Sequence, residues 1–147
     1  MVRFDLNNVN TDKNIPAIII SGGHGVNGVE TERSAELYLP SSNTSCMLPA
    51  LPDARYYHSQ DGTLLCGGDQ EASCLTFNLT TGGWTRTPHN LTQERHGHVS
   101  WLVEEGVILI GGEGSDAENT SEIVRHDGTN EPTFNLHYST VYVANAL

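Results

Sequence analysis

Apolar residues along this chain gather in short runs, and three of those runs end in a pair of glycines. Ala17-Ile18-Ile19-Ile20-Ser21 leads into Gly22-Gly23, Thr63-Leu64-Leu65-Cys66 into Gly67-Gly68, and Val107-Ile108-Leu109-Ile110 into Gly111-Gly112. The pairs stand 45 and then 44 residues apart. Self-similarity at a fixed period of that size predicts a repeat architecture. Each apolar run reads as a buried strand. Of the stretches after them, Ser34–Leu39 alternates in polarity as a half-buried strand does, and Ser73–Phe77 and Ser121–Arg125 follow in the same place.

Outer strands follow at Cys46-Met47-Leu48, at Trp84 and around Phe134, and inner strands open at Arg55–Gln60 and Arg95–Trp101. Asp61-Gly62 and Glu105-Gly106 supply tight turns between strands. Each period therefore holds four short strands, A to D, with the glycine pair closing B. The fold class is all-β, and four antiparallel strands repeated around an axis describe a propeller blade. The expected division is a polar tail over residues 1–14, strands B to D of a first unit over 15–54, complete units over 55–94 and 95–138, and a lone A strand over 139–147.

Composition narrows the partners. Seven Lys plus Arg against eighteen Asp plus Glu give a net charge of -11. Binding to nucleic acid through phosphates needs a basic surface, which this chain lacks. A basic protein or a cation is the electrostatically suited partner. No apolar run approaches the ~20 residues of a membrane helix, and the polar N-terminus has no signal-peptide core. Asn43, Asn78, Asn90 and Asn119 open N-x-[ST] sequons, in stretches that read as turns or strand ends. Of Cys46, Cys66 and Cys74, the last two flank a short B–C hairpin, either as a cross-strand disulfide or as two buried thiols.

The repeat resembles the kelch repeat: four apolar residues, Gly-Gly, a spaced aromatic and Trp, then Arg opening the next A strand. The second unit matches best, with Leu64–Gly68, Phe77, Trp84 and Arg95. The first has Ile18–Gly23 and Tyr38, with Cys46 where Trp would stand and Arg55 following. The third has Ile108–Gly112, with Arg125 for the aromatic, Phe134 for Trp, and Thr140 near the next Arg position. The Cys and the Arg-x-x-His openings are similar to a divergent group of invertebrate kelch-like proteins. The resemblance implies a kelch-type β-propeller that binds a protein partner without catalysis. Such rings have about five to seven blades, so about three blades imply a fragment, a truncated product or part of an oligomeric ring. It also implies structural roles for the glycine pairs and for Tyr38, Phe77 and Trp84 in packing between blades.

Residues that break the repeat are the functional candidates. The B–C loops carry Glu30 and Glu32, then Asp69 and Glu71, then Glu113, Asp116 and Glu118. They vary in length while the strands keep register, as binding loops on a rigid scaffold do. In an antiparallel blade these loops share one face with the D–A links, which Arg55 and Arg95 border. The acids read either as solvated loops of an acidic protein or as a rim that captures a basic partner or Ca²⁺. His96-Gly97-His98 has the spacing that puts two rings on one strand face, but Arg95-x-x-His98 recurs as Arg55-x-x-His58, which makes the second histidine part of the scaffold and leaves no metal site. Gly22-Gly23-His24-Gly25 lacks the ending of a phosphate loop. No Gly-x-Ser-x-Gly elbow occurs, and no cofactor is expected. The alternatives are a section of a galactose-oxidase-like enzyme whose copper chemistry lies elsewhere, and a secreted, glycosylated structural protein.

Overall fold

A computed structural model describes residues 17–25, 32–114 and 116–137. The tail over residues 1–14, the strand expected over 139–147 and Glu30 lie outside them. The described residues form eleven strands and no helix. Strands β1 (Ile18–Ser21), β2 (Ala35–Leu39) and β3 (Thr44–Met47) make a first sheet. A second holds β4 (Ser59–Asp61), β5 (Leu64–Cys66), β6 (Cys74–Asn78) and β7 (Gly83–Arg86). The third holds β8 (Val99–Val103), β9 (Gly106–Ile110), β10 (Thr120–Arg125) and β11 (Asn130–Asn135). In each sheet every strand pairs antiparallel with its neighbour in sequence. The all-β expectation is met.

Two stretches depart from the strand reading. Arg55–His58 and Arg95–His98 lie outside the strands, and β4 and β8 begin only at Ser59 and Val99. The backbone turns left-handed in the middle of each stretch, at Tyr57 (φ 56°) and Gly97 (φ 62°), which no extended strand permits. The bend also sends His96 and His98 to different surroundings. His96 lies 3.5 Å from Glu113, while the buried His98 ring is 2.7 Å from Ser59 Oγ. The two rings do not share a face.

Alternation along β5 and β6 sends side chains to both faces of the second sheet. Leu65 and Leu75 pack with Leu51, from the link leaving the first sheet, and with half-buried Trp84. Cys66 and Cys74 point the other way and join Leu91, Val107, Leu109 and Val124 between the second and third sheets. Each fully buried leucine contributes about 1.5–3 kcal/mol relative to an exposed one, so these two clusters fasten the sheets. Cys66 and Cys74 are Cα partners in the ladder and form a disulfide, while Cys46 is free and half-buried. Phe77, buried, meets Trp84 with ring centroids 5.1 Å apart, and Trp84 Nε1 donates to Pro49 O across the junction with the first sheet. The Tyr38 hydroxyl donates to Asn43 in the same hairpin.

Candidate functional site

The glycine pairs couple one sheet to the next. Gly23 N–H donates to Arg55 O at 2.7 Å, and Gly68 N–H donates to Arg95 O at 3.0 Å. A Cβ at Gly22 would lie 2.4 Å from Arg55 O, and one at Gly67 would lie 2.4 Å from Arg95 O. Only glycine admits that approach at positive φ. The first glycine of each pair also closes its own B–C loop, donating to Ser34 O, Ser73 O and Thr120 O at 2.9, 3.1 and 2.9 Å.

Arg55 and Arg95 hold the loops from beneath. Arg55 is buried and donates to Gly67 O, Ser73 O and Ser73 Oγ. Arg95 is buried and makes the corresponding bonds to Gly111 O, Thr120 O and Thr120 Oγ1. Their counter-ions differ. Arg95 pairs with Glu122 at 3.0 Å, both side chains fully buried. Glu122 also accepts from Thr92 N–H, the Thr92 hydroxyl and Asn130 Nδ2, all at Oε2, while its Oε1 faces the Arg95 guanidinium. Arg55 stands 3.8 Å from Glu71 and 3.7 Å from Asp53, both partly solvated. Burial lowers the pKa of each arginine, opposed by these carboxylates.

The recurring histidines sit at the junctions. The rings of His58 and His98 lie against Gly22 and Gly67 of the preceding sheet. Burial, and then the neighbouring Arg55, pushes the His58 pKa down to about 4. Burial, followed by Arg95, pushes that of His98 down to about 3. Both imidazoles are neutral at neutral pH.

Because the strands run antiparallel in sequence order, the B–C loops and the D–A links lie at one end of the sheets, and the turns lie at the other. The acids at the loop end are not equivalent. Glu71 faces inward: burial raises its pKa, but hydrogen bonds from Ser73 and the Arg55 charge outweigh that and lower it. Asp69 accepts the Tyr56 hydroxyl, and Asp69 N–H donates to Tyr56 O. Glu113 is bridged to His96 through backbone and side chain. Asp116 is exposed at φ 65°, while Glu118 and Glu32 are half-buried. Among the described residues no three His, Cys, Asp or Glu side chains converge as metal ligands.

The loop end also carries aromatic rings that the repeat does not call for. His24, Tyr56, Tyr57 and His96 follow one another across the three sheets, with centroid separations of 3.9, 5.0 and 6.1 Å. The signal in the sequence is Tyr57 aligned with Gly97, a large side chain where the next repeat has none. At the opposite end a cleft of about 470 Å³ opens between the second and third sheets, among Leu64, Leu102, Val107 and Val124 beside Asp61 and Arg125. The sequon residues Asn43, Asn78, Asn90 and Asn119 are all exposed. No helix is long and apolar enough to cross a membrane among the described residues.

No family model matches the chain. Over 81 residues, 54% of its length, it is similar at 36% identity to lipase member H of Danio rerio. The chain spans about 18% of the length of that protein.

Proposed function

We propose that this chain is a section of a kelch-type β-propeller and works as a non-catalytic interaction module, gripping a basic protein partner with its B–C loops and D–A links. The observation that carries this reading is the doubled junction. Gly23 bonds to Arg55 O as Gly68 bonds to Arg95 O, so successive sheets are set by one operation, as the blades of a propeller are. That operation brings Asp69, Glu113 and Asp116 to the same end of a chain with net charge -11. Arg55 and Arg95 act through the loops that they hold. The partial similarity to lipase member H brings no nucleophile elbow with it, since no Gly-x-Ser-x-Gly occurs in the sequence.

A photo-cross-linking amino acid placed at Gln70, exposed in the second B–C loop, is expected to trap a protein partner. The same group at Leu79, exposed in the turn at the opposite end, is expected to trap none. Capture from Leu79 alone overturns the assignment of the face.

The disulfide and the four exposed sequons favour an oxidising compartment, with glycans on the asparagines. Expression through a secretory route should then give a chain that loses mass on treatment with an N-glycosidase. An unchanged mass counts against that placement.

A further inference from the structure

The face of the second sheet turned toward the third changes character along its length. Near the loop end the seam is filled by Cys66, Cys74, Leu91 and Leu109. Toward the turns it opens into the cleft of about 470 Å³. Asp61, Leu64 and Thr76 are successive Cα partners across β4, β5 and β6, and so share one sheet face. Across the cleft stand Leu102, Val107 and Val124, likewise partners across β8, β9 and β10. All six line the opening, and Leu102 is left 57% exposed at its mouth.

The preceding junction shows how such a gap is closed. There Phe77 packs on its Cα partner Trp84, and Trp84 Nε1 reaches across to Pro49 O. Ladder register gives the matching places in the third sheet. Cys66 lies opposite Cys74, three residues before Phe77, and Ile110 lies opposite Ser121, three before Val124. Val124, not the adjacent Arg125, therefore stands where Phe77 does, and its partner Asn130 stands where Trp84 does. Two large rings have become a valine and an asparagine, and Asn130 is turned to Glu122. An interior void is costly. One that the neighbouring junction fills with rings is held open for an occupant.

Charge narrows the kind of occupant. The Asp61 carboxylate makes no hydrogen bond or ion pair among the described residues. Arg125 also lines the cleft, but its guanidinium is engaged by Glu131, which with Asp127 and Glu105 raises its pKa. His126 Nε2 lies 3.1 Å from Glu104 O.

We propose that the cleft binds a small organic amine, its apolar body between Leu64, Leu102, Val107 and Val124 and its ammonium paired with Asp61. Apolar walls with few polar groups, at this volume, are the make-up of small-molecule sites. The cleft lies at the opposite end from the partner face and does not rest on that reading. An alcohol of the same shape gains the apolar contact without the charge-assisted bond, and a carboxylate meets Asp61 as a like charge.

Phenethylamine, phenethyl alcohol and hydrocinnamate are probes of similar size and different charge, and NMR titration of the isotopically labelled chain reads their binding. Phenethylamine should shift the amides of Leu64, Thr76 and Val107 and bind at least about fivefold more tightly than the alcohol, with hydrocinnamate weakest. Asp61→Asn should bring the amine down to the affinity of the alcohol. Val124→Phe restores the ring of the second repeat and should abolish binding of both. Leu102→Trp, at an exposed position, closes the mouth if the phenylalanine variant fails to fold. Glu36→Gln, on β2 of the first sheet, removes a charge elsewhere and should change neither affinity. Equal affinities for the three probes, binding of none, or amine binding undiminished by Asp61→Asn or by closing the cleft overturns the proposal.

Discussion

A methyl group at Gly67 would lie 2.4 Å from Arg95 O and 2.8 Å from the His98 ring, on a backbone at φ 66°. Gly67→Ala must therefore push two sheets apart, and a loss of at least ~2 kcal/mol is expected in urea unfolding. Gly62 has a similar φ of 56° but open space around its Cβ direction, so Gly62→Ala should cost only about 1 kcal/mol. The buried arginines separate in the same way. Arg95→Met leaves Glu122 charged in a fully buried place and should cost about 3–5 kcal/mol. Arg55→Met should cost less, because Glu71 is 30% exposed and can be rehydrated. At Tyr57 the left-handed strain of about 1–2 kcal/mol for a side chain offsets the entropy that a glycine adds to the unfolded chain. A packing residue would lose about 3–5 kcal/mol on truncation. The glycine pairs were legible in the sequence because sterics alone select them. The row of rings was not, because its members come from separate loops and meet only after the sheets have stacked.

Strands are the next scale. The apolar runs located β5 and β9, and the matching place of the stretches that follow them located β6 and β10, each to within a residue, because burial and the repeat impose the pattern directly. The Arg-x-x-His stretches were read as strand openings, although glycine at position 97 already marked a left-handed bend. The choice between a disulfide and two thiols turned on register. Cys66 stands directly opposite Cys74 in the ladder, which composition alone could not decide. The closed loop is short, with a sequence separation of 8. Cys66→Ala with Cys74→Ala should therefore cost about 2–3 kcal/mol on chain-entropy grounds, read as a shift in urea midpoint. The junction histidines set a pH dependence. Their folded pKa values lie below the ordinary 6.5, at about 4 for His58 and about 3 for His98. Between 6.5 and those values the unfolded chain binds protons that the folded chain does not, so stability falls as the pH falls. The expected slope approaches about 1.4 kcal/mol per pH unit for each histidine. His98→Gln should flatten it in urea titrations between pH 7 and 4.

For the whole molecule, charge governs encounter more than grip. The chain carries a net charge of -11, and steering by such a field is screened beyond about 10 Å at 0.1 M salt. A hexa-arginine peptide, standing in for a basic partner, should therefore associate several-fold more slowly at 0.3 M than at 0.02 M salt in stopped-flow traces.

Cys66 and Cys74 are each 1% exposed, in the apolar layer between the second and third sheets. A dissolved thiol reaches their sulfurs only when that layer parts. The disulfide is thus a clock built into the seam: at saturating reductant, the rate at which it disappears counts how often the neighbouring sheets separate. A clamp that occupies the loop end of both sheets at once should slow that clock without touching a sulfur atom.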